Sequence, residues 1–300
     1  MSESEQGGGG ETGGAGAPGL LPRQEIEALI ASGAIASAAP IEEGELLPAS
    51  LDLRLGAKAF RVRASFLTGR ARSVSERLEA LTSDTVDLGG PGAVLERGCV
   101  YVVPLQESLD LPAMLSAAAN PKSSTGRLDI FTRLITDGGE VFDHVARGYR
   151  GGLYAEVSPR SFSVRVHEGS KLNQIRFRRS GVAETAAPGI DDGALSRSHG
   201  RMPLVDGDLN LRGGLILRVA LSEATIGRTI GYRAQKHTDP IDVDHVGVYD
   251  PAEFWEEIRA RPDGRLILDP GEFYILASRE RLHVPADLAA EMVPIDPAMG

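Results

Sequence analysis

From Leu46 onward, apolar and polar positions alternate over short runs broken by Gly, Pro, Asp and Ser. A period of two at such spacing predicts an all-β protein, barrel or sandwich, with minor helix. Ahead of it, Pro22 opens a helix through about Ser32, with Ile26, Leu29 and Ile30 on one face and Gly33 as its stop. Residues 1–21 are mostly Gly, Glu, Ser and Ala without apolar period, and predict a disordered tail. The main β domain is expected over 22–180. A Gly-, Ala-, Ser- and Asp-rich stretch over 181–205 reads as a linker. Residues 206–300 then promise a strand at Leu215–Leu221 and a helix around Pro251–Arg259, with the lone Trp255 as its core anchor.

The chain also repeats itself. Leu95, Gly98, Tyr101, Glu107, Leu109, Pro112, Ala113, Leu115 and Ala117 recur at one constant spacing as Leu268, Gly271, Tyr274, Glu280, Leu282, Pro285, Ala286, Leu288 and Ala290. Gapless recurrence implies two copies of one β domain. At that spacing Ser123, Ser124 and Arg127 fall on Asp296, Pro297 and Gly300, so the second copy is expected to be partial.

Composition narrows the partners. With a net charge of -10 and a pI near 5.2, an extended basic surface for a nucleic-acid polymer is excluded, while a small anion held by local cations is not. Two such clusters are Lys122 with Arg127, and Arg176 to Arg179; the second reads equally well as a solvated strand end. No apolar run reaches the ~18 residues of a membrane span. The N-terminus has neither the basic region nor the apolar core of a secretory signal, so a soluble, cytoplasmic protein is expected. The single Cys99 lies in an apolar run and reads as a structural thiol.

Two segments carry candidate chemistry. Lys122-Ser123-Ser124-Thr125-Gly126-Arg127 combines small hydroxyls, a Gly and two cations, the means by which a loop wraps anionic oxygens. Tyr149-Arg150-Gly151-Gly152-Leu153-Tyr154-Ala155-Glu156 alternates on period two and places one carboxylate among apolar neighbours, where desolvation suits it to proton transfer. Each has a plain reading too: the first as a turn, the second as a strand whose Glu faces water. His237, Asp239, Asp242, Asp244 and His245 carry metal-ligand chemistry, but Pro240 and their spacing favour a polar loop. His144 and His167 are read as local hydrogen-bonding groups.

These segments resemble the dCTP deaminase branch of the dUTPase superfamily. Its phosphate loop reads R-S-S-x-(G/A)-R-L and its catalytic strand G-(W/Y)-x-G-x-(I/L)-x-x-E. Pro48-Ala49-Ser50-Leu51-Asp52-Leu53-Arg54-Leu55-Gly56 is similar to the family's P-A-S-(V/L)-D-(L/V)-R-L-G, and His167 to Ile175 to its P-G-x-K-I-G-Q-L. The resemblance implies a dUTPase-like barrel, one complete copy followed by a partial one, and zinc-free hydrolysis of dCTP to dUTP and ammonia. It implies Glu156 as acid and base, Ser123 as holder of the water with a carbonyl near Thr136, and Arg127 beside the reacting centre. Lys122, Ser124, Gly126, Tyr149 and Gln174 would bind substrate. No protein cofactor is expected, and Mg²⁺ would travel with the triphosphate. Superfamily homotrimers with sites between subunits imply a homo-oligomer.

Where the family reads I-D-P-G ahead of its catalytic strand, this chain has Val145-Ala146-Arg147-Gly148. Sugar recognition would then fall to Asp143 or to the second copy. The competing enzymatic reading is a dUTP diphosphatase, with an Asp activating water on the α-phosphate with Mg²⁺. The remaining one is a non-catalytic nucleotide-binding barrel.

Overall fold

A computed structural model describes residues 18–179, 190–223 and 227–292. Two compact units divide the chain: Met1–Glu184 with Asp239–Val246, and Thr185–Thr238 with Gly247–Gly300.

The first unit contains, in chain order, strands β1 (Gly19–Leu20), β2 (Ile35–Ser37), β3 (Leu46–Leu47), β4 (Ser50–Arg54), β5 (Lys58–Val62), β6 (Thr82–Asp87) and β7 (Ala93–Leu95). It continues with β8 (Val100–Asp110), β9 (Leu115–Pro121), β10 (Ile130–Thr136), β11 (His144–Val145), β12 (Arg150–Pro159), β13 (Val164–Val166) and β14 (Lys171–Arg179). One antiparallel sheet runs β11-β9-β14-β4-β3 with β1 added to β14. The other runs β10-β12-β8-β5-β6 with β2 added to β8. A small third sheet joins β7 and β13 to β16 (Ile241–Asp242), the last being parallel to β13. The expected all-β class is what the chain adopts.

The core lies between the two large sheets. Leu51, Leu53, Ile175 and Phe177 from one meet Leu109, Leu134 and Leu153 from the other. Helix α1 (Arg23–Ala31) follows Pro22 as expected and drives Ile26 into this core. The tail expected over 1–21 lies outside the described residues up to position 17, but its last residues are ordered. Gly19 and Leu20 pair with Arg179 and Arg178, and Leu21 is buried, because an apolar pair beside a free sheet edge gains both ladder bonds and burial.

A second apolar cluster covers the opposite face of the β10-β12-β8-β5-β6 sheet. Helix α2 (Val74–Leu81) supplies Val74 and Leu78, which pack with Phe66, Val62, Val102 and Ile135. The alternation reading missed this helix, although Ser73 and Glu76 form a reciprocal capping box at its start. The sheet is therefore covered on both sides, and its polar residues must find partners within protein.

Some hydrogen bonds of the first unit have counterparts in the second. The Arg54 backbone N–H and Nε donate to Glu107 at 2.9 and 2.8 Å. Arg218 does the same to Glu280 at 2.9 and 2.6 Å. The Tyr101 hydroxyl accepts from the Glu96 N–H at 3.0 Å, and the Tyr274 hydroxyl from the Asp269 N–H at 3.0 Å. Gly98 and Gly271 share the left-handed conformation, φ 78° and 76°. Among the described residues of this unit the elements are α4 (Asp192–Arg201), β15 (Thr229–Ala234), α5 (Pro251–Phe254), β17 (Trp255–Arg259) and β18 (Tyr274–Leu276), the strands in the order β17-β15-β18.

Three expectations change here. Part of the presumed linker is helix α4, because the Asp191 side chain caps the Ala194 N–H and starts a turn the composition does not advertise. The strand at Leu215–Leu221 is reduced to single bridges, Leu211 to Leu215 and Val219 to Ser278. The helix from Pro251 stops at Phe254, and Trp255 instead begins a strand beside β15, its ring 6.1 Å from that of Phe273.

Tyr149 locks the start of β12. Its hydroxyl donates to the Gly152 carbonyl at 2.6 Å and accepts from the Asp137 N–H at 3.3 Å. Gly151 has φ 151°, and a Cβ there would lie 2.8 Å from that hydroxyl, so the turn requires glycine.

Two outcomes follow from this packing. Replacing Arg54 by Met leaves Glu107 buried without its cation, which typically costs about 3–5 kcal/mol. Denaturant unfolding should register that loss, with a smaller one for Arg218→Met, whose side chain is 44% exposed. Burial pushes the Tyr149 phenol up to about 12 from 10.0. Between those values the folded chain keeps a proton that the unfolded chain releases, so stability falls as pH rises through the window. The melting temperature of Tyr149→Phe should decline less steeply from pH 10 to 12 than that of the parent.

Candidate functional site

The β10–β12 register sets Arg133 opposite Glu156. On β12, Leu153, Ala155 and Val157 are buried, while Glu156 takes the alternate face, toward the α2 cluster. Glu156 is 2% exposed. Its Oε1 accepts from Arg133 Nε at 3.1 Å and Nη2 at 2.6 Å, and its buried Oε2 has no hydrogen-bond partner. Arg133 Nη2 also donates to Ser65 Oγ at 2.8 Å, and the guanidinium carbon lies 3.5 Å from the centre of the Phe142 ring. An ionised carboxylate buried to this degree needs a cation, and Arg133 provides it. Arg133 is not among the candidates that the sequence offers. Its one signal, a cation within the apolar run Ile130–Thr136, acquires meaning only once the register is known.

The expected phosphate loop is the short helix α3 (Ser123–Arg127), which follows Lys122. Thr125 Oγ1 and the Lys122 N–H both donate to the Leu172 carbonyl at 2.9 Å, strapping the turn to β14. Ser123, Ser124, Gly126 and Arg127 are left facing outward. Arg127 Nη2 donates to Ser123 Oγ at 3.1 Å and Nε to the Ser123 carbonyl at 3.2 Å. Gly126 is helical, with its N–H on the Lys122 carbonyl, so it wraps no anion with that group; open space surrounds its missing Cβ. Lys122 Nζ is paired with the buried Asp52, a short charged contact that orients the ammonium beside the loop.

Other expected site residues are committed to the fold. The Thr136 carbonyl accepts from Thr68 Oγ1 at 3.0 Å and the Gly139 N–H at 3.2 Å, which occupies both of its lone pairs. Tyr149 spends its hydroxyl on Gly152 and Asp137. Gln174 Oε1 accepts from Ser50 Oγ at 3.1 Å. Asp143, the candidate for sugar recognition, caps the Leu134 N–H at 2.7 Å from a left-handed backbone, φ 61°. In the Arg176–Arg179 run, Arg179 pairs with Glu25 of α1 and Arg176 Nη1 donates to Asn120 at 3.3 Å.

The chain does not bring all its candidates together. No hydrogen bond among the described residues joins Glu156 to Ser123, Arg127 or Lys122; the loop precedes β10, while Glu156 pairs midway along it. Of the polar residues near 240, Asp242 and Asp244 gather with His167, their ligand atoms within 4.8 Å of one another, a set able to hold a metal ion. Hydrogen bonds already link the group: His167 Nδ1 lies 3.1 Å from Asp244 Oδ2, and Ser170 donates to the same oxygen. No described helix is long and apolar enough to cross a membrane.

Similarity to known proteins identifies the family. Residues 17–181 match the model of the 2'-deoxycytidine 5'-triphosphate deaminase (DCD) N-terminal domain, and 191–300 that of its C-terminal domain. A "dCTP deaminase, dUMP-forming" of Parafrankia sp. (strain EAN1pec) is 30% identical over 167 residues, covering 55% of this chain and 79% of the relative. A protein of the same description from Methanoculleus marisnigri is 29% identical over 142 residues, 47% of this chain and 71% of its own length. The crystal structure of 2'-deoxycytidine 5'-triphosphate deaminase from Agrobacterium tumefaciens superposes with a TM-score of 0.82 at 48% identity, covering 89% of this chain and 78% of that one. With both domain models matched in order and a close structural relative on the same fold, this chain belongs to the 2'-deoxycytidine 5'-triphosphate deaminase family.

Proposed function

We propose that this protein hydrolyses dCTP to dUTP and ammonia, with Glu156 as both acid and base. The observation that carries the reading is a carboxylate 2% exposed, on a sheet covered by apolar side chains, with one oxygen clasped and the other unpartnered. Water adds to C4 of the cytosine ring while its proton passes to Glu156. The same carboxyl then protonates the ring nitrogen N3. Collapse of the tetrahedral centre, with the second proton of the added water passed to the departing amino group, expels ammonia and leaves the uracil carbonyl. One water is consumed, and no electrons change hands.

Ser123 and Arg127 are exposed on α3, and among the described residues neither is hydrogen-bonded to Glu156. This supports a homo-oligomer, a trimer by family resemblance, in which the loop of one copy completes the site of another. Ser123 would then hold the water and Arg127 the charge developing at C4, with Ser124 and Lys122 on the phosphates. The Thr136 carbonyl can share in holding the water only if Thr68 or Gly139 releases it. Mg²⁺ would accompany the triphosphate, and a free nucleotide substrate fits the cytoplasmic location expected from the sequence.

The relatives' names end the reaction at dUMP, which supports a second reading with hydrolysis of the triphosphate after deamination. Chromatography of the dCTP reaction separates the two: dUTP with ammonia alone, or dUMP with pyrophosphate.

Glu156→Gln keeps the shape and removes proton transfer, so kcat for ammonia release should fall at least ~10²-fold with dCTP still bound. A parent-like rate would refute the assignment. Zinc deaminases take their metal from H-x-E and P-C-x-x-C motifs, which a chain with the single Cys99 lacks. Turnover should therefore survive a zinc-selective chelator, and its loss, restored by added zinc, would point instead to the His167, Asp242 and Asp244 cluster.

A further inference from the structure

Glu156 has two oxygens in unequal surroundings. Oε1 takes both hydrogen bonds that Arg133 sends, whereas Oε2 is buried and bonded to nothing. The arginine is itself held. Ser65 Oγ accepts from its Nη2, the Phe142 ring lies 3.5 Å from its guanidinium carbon, and the Phe131 ring lies 4.9 Å away on the neighbouring part of the strand. A planar fork gripped at its edge and stacked on a ring cannot rotate freely, so neither can the carboxylate it grips.

We propose that Arg133 is the positioning residue of the deamination: by clasping Oε1 it fixes the carboxylate plane and reserves Oε2 as the oxygen that carries the proton. This rests on Glu156 being the acid and base. In the first step an O–H bond of water breaks, its oxygen bonds to C4, and the proton settles on Oε2. In the second the Oε2–H bond breaks as N3 gains the proton, and Oε2 is again bare. Arg133 keeps its own protons throughout. Its contribution is orientation, and misplacing a catalytic group by about 1 Å can cost on the order of 10²-fold in rate.

The competing account is that Arg133 only neutralises a buried charge. Then its loss would lower stability and leave the geometry of the reaction untouched. Four variants decide between the two: Arg133→Ala, Arg133→Lys, Glu156→Gln, and Arg133→Ala combined with Glu156→Gln. Each is assayed for kcat and KM with dCTP and for melting temperature, with and without added methylguanidinium.

In Arg133→Ala we expect kcat to fall about 10- to 100-fold with KM changed less than about threefold, and methylguanidinium to restore part of the loss. In the Glu156→Gln background the same substitution should cost nothing further, because it acts only through Glu156. If Arg133→Ala does not fold, Arg133→Lys takes its place: it keeps the charge but not the fork, and should lose kcat at an unchanged melting temperature. A parent-like kcat in a folded Arg133 variant overturns the proposal. So does an equal further loss in the Glu156→Gln background, or a loss of rate that only follows loss of folded protein. A parent-like rate in Glu156→Gln alone would defeat the underlying mechanism instead, which keeps the two failures distinct.

Discussion

A charged group in a sheet covered on both faces has to be paired, and this requirement organises the first unit. Between the inter-sheet core and the α2 cluster, Glu156 is buried and must find its charge partner within protein. The β10–β12 register supplies Arg133 directly across the ladder, and Phe142 and Ser65 hold the guanidinium in place. A one-residue slip of that register would turn Arg133 to the opposite face and leave Glu156 buried alone. Fold and chemistry are thus coupled through one cross-strand pair.

The Arg54–Glu107 pair shows the same physics put to a structural use. The Arg54 guanidinium also donates to the Pro40 and Ala39 carbonyls, at 2.7 and 2.9 Å, so its donors are spent on the fold. Burial nonetheless pushes the Glu107 carboxyl up. Its repeat, Arg218–Glu280, has the opposite balance: the arginine's hydrogen bonds dominate and hold Glu280 below the usual carboxylate range. The second unit retains this buttress, the tyrosine clip at Tyr274 and the turn at Gly271. It has Ile216 two residues before Arg218, where the first unit has Asp52, the partner of Lys122, two residues before Arg54. What recurs is framework, and the residues proposed for phosphate binding do not.

The site also shows how a fold limits its own loops. Tyr149, Asp143 and the Thr136 carbonyl all border β10 or β12, and each is consumed in holding those strands. Of the candidates in the sequence, those of α3 stay exposed, and there Thr125 alone turns inward to anchor the turn. Anchoring one residue and exposing its neighbours gives an open set of hydroxyls beside the Arg127 guanidinium. Such a set suits an anion delivered from outside the chain.

Much of this was legible in one dimension. Period-two alternation announced an all-β protein because strand side chains alternate between faces, and Pro22 with Gly33 bounded α1 because each dictates its own backbone angles. The constant spacing of Leu95 with Leu268 and Tyr101 with Tyr274 marked two segments whose tyrosine clips correspond, and the position of Glu156 among apolar neighbours marked it as a buried carboxylate. Tertiary structure alone decided which residues meet. Arg133 and Glu156 lie 23 positions apart, Lys122 and Asp52 lie 70 apart, and His167 and Asp244 lie 77 apart. Local propensity carries no record of pairing across such distances, because register is set by the sum of core contacts and ladder bonds and not by any one residue. The same reason explains the outright differences, since Asp191 starts α4 and Trp255 ends α5 through a capping contact and a neighbouring strand that composition does not encode.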